Sequence, residues 1–366
     1  MRATTIGLIS TNYVHDDFDE LTESRTLPTL MFGGKYRLID FAISNMVNAG
    51  INAVGVISHY KYRSLADHIS NGKPWGLARK KGGLFMLPGS VYASREKGNR
   101  FLVRDLLDNH IFFDKEKEAD YVILCDGSTV MNIDFRAFIE NHQQSGDPVT
   151  LLCKSMPERT DGRFLEVEDG HVKAFSRAGW GSDLRFLNCM IIDRQYLVNG
   201  LERYGAMDFS DLMEVFDERI GYMKVGYMEY DGFVGVIESL NDYMRVSQKL
   251  LDEDVRAELF DGERKIYTTP QDRTPTIYRP GSVVKNSLVS AGCVIEGRVE
   301  NSIISRNTYV GKGAVVKDCI ILQKGRIEEG AYIRGVISDK SAVISKGVRL
   351  EAGADRPIVI AKESTV

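Results

Sequence analysis

Cysteine is sparse and unpaired in this chain. Its five cysteines, Cys125, Cys153, Cys189, Cys293 and Cys319, are odd in number and never form a C-x-x-C pair. That spacing excludes a disulfide framework and a zinc ribbon, and it fits buried thiols in a reducing cytosol. No apolar run approaches the length needed to cross a bilayer, and the first residues lack the pattern of a secretory signal. The expected location is cytoplasmic. A long basic run is missing as well, and the formal net charge of −4 gives nucleic acid no electrostatic footprint. The six histidines, His15, His59, His68, His110, His142 and His171, show no metal-ligand spacing.

The absence with the largest consequence lies near the amino end. Ile6-Gly7-Leu8-Ile9 reads as the first buried strand of an α/β domain. A phosphate-binding protein follows such a strand with a glycine-rich turn, because glycine lets backbone N–H groups close on the anion. Here the turn is Ser10-Thr11-Asn12-Tyr13-Val14-His15-Asp16-Asp17-Phe18-Asp19-Glu20, with neither glycine nor arginine. Each of its carboxylates would repel a phosphate by about 1 kcal/mol at about 4 Å in water.

What is present points to two domains, as 366 residues lead one to expect. Apolar residues make up 43% and charged residues 27%, enough for a sizeable core in a soluble protein. The runs Asn52–Ser58, Tyr121–Cys125, Pro148–Cys153 and Phe186–Ile192 read as strands covered on both faces. Helical spacing covers Tyr36–Ala49, Phe101–Phe113, Ser64–Ile69 with Ser64 as cap, Phe209–Phe216 and Ser239–Leu251, where Ser239 and Asp242 suit a capping box. Phe164–Phe175 predicts a hairpin around Asp169-Gly170. The alternation argues for an open, mostly parallel sheet with its ligand crevice at the carboxyl ends of the strands. Pro270, Pro275 and Pro280 mark a linker over 266–280.

Beyond Gly281 the texture changes. Apolar pairs recur every five to six residues: Val283-Val284, Leu288-Val289, Val294-Ile295, Ile303-Ile304, Val315-Val316 and Ile320-Ile321. A longer period aligns Asn286-Ser-Leu-Val, Asn301-Ser-Ile-Ile, Asp318-Cys-Ile-Ile and Gly335-Val-Ile-Ser. The double period predicts a hexapeptide β-helix over 281–366, an antiparallel sandwich being the alternative.

Leu21-Thr22, Phe32–Asn45 (FGGKYRLIDFAISN), the run His59–Leu65, the Ser239–Leu251 helix and Asn286–Ile295 together resemble the ADP-glucose pyrophosphorylases, the glucose-1-phosphate adenylyltransferases of glycogen and starch synthesis. The resemblance covers nearly the whole chain. It implies a Rossmann-like nucleotidyltransferase domain over 1–265, a left-handed β-helix and a tetramer. It also implies a reaction in which glucose-1-phosphate attacks the α-phosphate of ATP, with Mg²⁺ held by carboxylates.

Against the family pattern, several elements are lost. The G-G-x-G-x-R-L loop is replaced from Ser10, Thr11 and Asn12 onward, and the lysine of K-P-A-V is Leu27. G-T-A-D-A is Phe101–Asp105. The A-G-D-H strand end is Cys125–Thr129, with Ser128 at the carboxylate position in the best register and Asp126 nearby after a one-residue shift. The lysine of E-K-P is Ala178, and the second metal aspartate, from W-R-D-V-G-T, is Gly235.

Such losses imply a chain with no catalytic residues and no metal or cofactor of its own. The pattern is that of the regulatory subunit that accompanies a catalytic partner in Gram-positive bacteria, with Mg²⁺ and ATP belonging to the partner. A heterotetramer is the implied assembly, with a homo-oligomer in isolation as the other arrangement. Lys35, Arg37, Lys340 and Lys362 match bases that contact anionic effectors and suit a sugar bisphosphate such as fructose bisphosphate. Read without the family, they are solvated surface charges. Asp126 reads as a turn-forming or strand-capping aspartate in preference to a catalytic carboxylate, and Trp75 and Trp180 as packing residues. The loop with Tyr13 and Phe18 is expected to fill the vacated pocket. Three rival readings stand beside this one. The first is a self-sufficient adenylyltransferase with a remodelled site, and the second an assembly scaffold without an effector site. The third is a hexapeptide acyltransferase, which needs a histidine base that the chain lacks after His171.

Overall fold

The computed structural model describes residues 4–11, 16–58, 61–90, 100–156, 162–177, 181–204, 210–270, 274–353 and 356–366. The chain divides into two compact units, one drawn from 1–14, 39–234 and 263–267, the other from 15–38, 235–262 and 268–366. In chain order the strands up to residue 234 are β1 (Thr5–Ser10), β2 (Met31–Phe32), β3 (Tyr36–Arg37), β4 (Ala53–Ser58), β5 (Gly83–Pro88), β6 (Tyr121–Asp126), β7 (Val149–Ser155), β8 (Arg163–Glu168), β9 (His171–Arg177), β10 (Leu184–Asp193) and β11 (Val225–Glu229).

The first unit is a nine-stranded sheet in the spatial order β11-β7-β10-β6-β1-β4-β5, with β8 and β9 attached through β10. β1 runs parallel to β4 and β6, and β10 runs antiparallel to both its neighbours. β1 and β4 are buried at every position, as two-sided coverage requires of such continuous apolar runs. Gly7 is the point of closest approach, since a Cβ there would lie 2.3 Å from the Met46 sulfur of helix Leu38–Asn48. The chain leaves β1 toward β4 and β5 on one side and returns to β6 on the other, so the order reverses between β1 and β6. In register, Ser10 sits opposite Asp126.

The hairpin between β8 and β9 forms as the sequence predicts, with Asp169 and Gly170 both left-handed at φ 51° and 78°. Three local expectations change. The helix at Arg63–Ile69 starts one residue before Ser64 and has no side-chain cap, so Ser64 lies inside its first turn. The run 101–113 holds two helices, Val103–Asp108 and His110–Lys115. In the second unit Ser239 accepts from the Asp242 amide, but the Asp242 carboxylate reaches the Glu238 amide in place of the cap's own.

The second unit is a parallel β-helix. One strand per coil enters each of three five-stranded sheets: 277–278, 294–295, 309–310, 326–327 and 343–344; 283–285, 298–300, 315–317, 332–334 and 349–351; and 288–289, 303–304, 320–321, 336–338 and 358–360. Cys293, Ile295, Val299, Ile304, Val310, Val316, Ile321, Ile327, Ile333 and Ile344 stack into its core. Asn286, Asn301, Asp318 and Gly335 are successive left-handed corners, at φ 41°, 47°, 53° and 66°. The Asn286 amide donates to Asn301 at 2.9 Å, and Asn301 to Asp318 at 3.2 Å. The longer sequence period is therefore a column of residues that tolerate positive φ and bond to one another.

Segment 16–37 belongs to this unit and runs along the third sheet from the last coil toward the first. The turn Asp16–Thr22 lies against strand 358–360, with Phe18 buried and Asp19 paired to Arg356 at 2.7 Å. Farther along, Arg25 pairs with the fully buried Asp339. A Cβ on Gly34 would lie 2.3 Å from Ser290 Oγ, so the β2–β3 ladder closes directly on the first coil. Helices Leu240–Lys249 and Glu253–Phe260 complete the unit through the Tyr243 hydroxyl, which donates to the Met31 carbonyl at 2.5 Å, and through Phe260, stacked on Tyr36 at 5.0 Å. Phe18, which the sequence assigns to a vacated nucleotide pocket, is buried within a turn that belongs to this unit. Tyr13 lies outside the described residues. All five cysteines are buried free thiols, and no helix among the described residues is long and apolar enough to cross a membrane.

Candidate functional site

An open α/β sheet binds its ligand beyond the carboxyl ends of its strands, where the strand order reverses. That point is the paired end of β1 and β6, where the described polar groups bond to one another. Thr11, the first residue past β1, donates its amide to the Ile57 carbonyl at 3.1 Å and its hydroxyl to the same oxygen at 2.8 Å. The first amide that a phosphate would use is thus engaged in extending the ladder to β4. Ser10 donates its hydroxyl to the Arg100 carbonyl at 2.5 Å and accepts from the Gly127 amide at 3.0 Å. Asn12 lies outside the described residues.

Asp126 ends β6. Its carboxylate accepts from the Ser128 hydroxyl at 2.6 Å and the Ser128 amide at 3.1 Å, and it lies 3.4 Å from Arg100 Nε. The arginine and aspartate side chains are 4% and 3% exposed. The backbone of Arg100 is fixed from both sides: Ser10 holds its carbonyl, and the amides of Arg100 and Phe101 donate to the Asp211 carboxylate, each at 2.7 Å. Asp211 also caps helix Leu212–Arg219 through the Met213 amide, with Glu214 returning to the Asp211 amide. Burial pushes the Asp211 carboxyl above the ordinary carboxylate range, against the pull of those three donors. Burial likewise raises the Cys125 thiol, with Cys189 and Asp126 adding to the effect, so no thiolate nucleophile arises beside the strand end.

A dry, neutralised ion pair occupies this point. The Mg²⁺ that the resemblance implies does not fit these residues. Asp126 accepts from Ser128 and faces the Arg100 guanidinium at 3.4 Å, Gly235 carries no side chain, and no three His, Cys, Asp or Glu side chains gather as a metal cage among the described residues. Leu27, in the lysine's place, is buried in the second unit within the turn Leu27–Thr29. Ala178 lies outside the described residues. A cavity of about 470 Å³ does open in the first unit, lined among others by Thr5, Asn52, Lys81, Arg136 and Glu140. It lies at the amino-terminal ends of β1 and β4, the end at which such sheets do not hold their nucleotides.

The four bases matched to an effector all lie in the second unit. Lys35 is exposed, its Nζ 4.6 Å over the Tyr36 ring, and Arg37 is half-buried at the end of β3. The Lys340 amide donates to Asp339 at 2.6 Å, and its carbonyl accepts from the Glu363 amide at 3.0 Å, which brings Lys362 alongside. The structure thus joins Lys340 to Lys362 near the last two coils and sets Lys35 near the first two. With five coils about 4.8 Å apart, the two positions stand roughly 10–19 Å apart along the stack. Sequence reasoning missed Arg100, Asp211 and the Arg25–Asp339 pair. Asp211-Leu-Met-Glu214 spells a capping box, a signal open to reading; Arg100 carries no local signal at all.

A mostly parallel α/β sheet followed along the chain by a hexapeptide-type β-helix defines the architecture of the sugar-nucleotide nucleotidyltransferases. Residues 18–175 match the family described as nucleotidyl transferase, and 277–357 that described as GlmU-like, C-terminal hexapeptide. The chain is 34% identical over 358 residues to the glycogen biosynthesis protein GlgD of Bacillus subtilis, covering 98% of this chain and 95% of that protein. It is 34% identical to GlgD of Geobacillus stearothermophilus over 86% of this chain and 84% of that protein. Glucose-1-phosphate adenylyltransferase of Clostridium perfringens is 30% identical over 94% of this chain and 90% of its own length. The chain belongs to the glucose-1-phosphate adenylyltransferase (ADP-glucose pyrophosphorylase) family.

Proposed function

We propose that this chain is a non-catalytic, regulatory subunit of glucose-1-phosphate adenylyltransferase in cytoplasmic glycogen biosynthesis. The observation that carries the reading is the Arg100–Asp126 pair, buried where a nucleotidyltransferase needs free carboxylates and open amides. A guanidinium there competes with any metal for the carboxylate, and the Thr11 amide, the first past the strand, is already given to Ile57. Similarity to two proteins named for glycogen biosynthesis supports the pathway. Similarity to an adenylyltransferase along most of its length supports the partner, a catalytic subunit that carries ATP and Mg²⁺ within a heterotetramer. Lys35, Arg37, Lys340 and Lys362 are assigned to a sugar-phosphate effector such as fructose bisphosphate.

Co-expression with the catalytic subunit tests this, with turnover and effector response compared against each subunit alone. The chain alone should form no ADP-glucose, and the mixed enzyme should differ from the catalytic subunit in its effector response. Lys35→Ala should weaken activation of the mixed enzyme by fructose bisphosphate. ADP-glucose formation by the purified chain would favour a self-sufficient enzyme, no change on mixing would refute the regulatory role, and unchanged activation in Lys35→Ala would remove the effector assignment.

A further inference from the structure

We propose that Arg100 is a tethered cation standing where a divalent metal would sit beside Asp126, and that removing its guanidinium converts this strand end into a divalent-cation site. The inference rests on reading the first unit as a degenerate nucleotidyltransferase, and it names the group that keeps it degenerate. Three features carry it. Arg100 Nε lies 3.4 Å from the Asp126 carboxylate, with both side chains almost wholly out of water. The arginine backbone is clamped by Ser10 on its carbonyl and by Asp211 on its amide, so its position is set independently of the charge pair. The oxygens at the pair are those of Asp126 and Ser128, with Ser10 opposite Asp126 on the neighbouring strand, hard donors of the kind that Mg²⁺ and Mn²⁺ take.

A guanidinium supplies positive charge there without the dehydration a small divalent ion resists. It cannot leave, because its own backbone is held by a helix cap and a strand end. Asp126 therefore keeps a partner at every metal concentration. Without the guanidinium, one carboxylate, nearby hydroxyls and admitted water make the sparse oxygen set that Mg²⁺ and Mn²⁺ commonly accept.

The test is Mn²⁺ titration of the full chain, read by electron paramagnetic resonance of free Mn²⁺ and by the Mn²⁺-dependent shift in thermal midpoint. Wild type should show no saturable binding. Arg100→Ala should bind one Mn²⁺ saturably, at least about tenfold more tightly than any residual wild-type binding, and gain thermal stability from it. The double variant Arg100→Ala, Asp126→Asn should lose both effects. If Arg100→Ala does not fold, Arg100→Gln keeps much of the volume while removing the charge, and the same outcome is expected of it. Equal binding by wild type and variant overturns the proposal, as does a folded variant that binds nothing. Neither result bears on turnover: ADP-glucose made by the wild-type chain alone would sink the regulatory reading and leave the cation measurement standing on its own.

Discussion

Replacing Arg100 by methionine should cost far more stability than the pair itself contributes. At 3.4 Å, with an effective dielectric of about 20, opposite unit charges attract by about 5 kcal/mol, and stripping water from both groups consumes most of that. Arg100→Met leaves Asp126 buried with only the Ser128 donors, a loss of about 3–5 kcal/mol. Asp126→Asn takes the facing charge away from the guanidinium and should also cost stability. The double variant Arg100→Met, Asp126→Asn has no buried charge, and its amide oxygen still accepts from Ser128, so it should lie within about 1–2 kcal/mol of wild type. The two losses should therefore be coupled by about 3 kcal/mol or more. Urea unfolding followed by tryptophan fluorescence reads the effect, since Trp75 is buried in this unit, and the m-values must agree among variants. Losses additive within about 0.5 kcal/mol would refute the reasoning.

Three further outcomes can be measured. Gly34→Ala should destabilise the coil unit by about 1–2 kcal/mol, because φ is 78° and the new Cβ meets Ser290 Oγ; adding Ser290→Ala should relieve only the contact, and an unchanged melting temperature in the single variant would contradict this. Burial lowers the His142 pKa below its ordinary 6.5, with Asp193 only partly offsetting it, so the unfolded chain takes up the proton before the folded one does. Stability from this group is fully present above pH 6.5 and is lost as pH falls from there through the lower folded-state pKa, and His142→Gln should flatten the urea-midpoint slope between about pH 7.5 and 5.5; equal slopes would discard the claim. Restoring glycines to the Ser10–Glu20 loop should yield no ADP-glucose from the chain alone while Arg100 still holds Asp126, and turnover in that variant would shift the blame to the loop.

Much of the fold was legible because it is local. The five-to-six-residue apolar pairs are strands of the β-helix, and Asn286, Asn301, Asp318 and Gly335 form one column of its left-handed corners. The Asp169-Gly170 hairpin followed from turn chemistry alone. The strand ends were legible too, since Ser10 and Asp126 were singled out from the sequence and meet in register. Which neighbour Asp126 would find was not. Arg100 precedes Phe101 without periodicity or motif, and its carboxylate partner is reached only after the sheet has placed β6 beside β1.

The sequence by itself determined the two architectures, their order and the loss of the glycine loop, because apolar spacing and positive-φ residues act within a few positions of themselves. Tertiary structure decided what replaced the lost chemistry and which segments keep company. It sent 16–38 and 235–262 to the coils, joined Arg25 to Asp339 across 314 residues, and set an arginine against the aspartate at the switch point. Those contacts depend on strand order and register, which no short window of sequence contains; burial then makes each of them strong enough to matter.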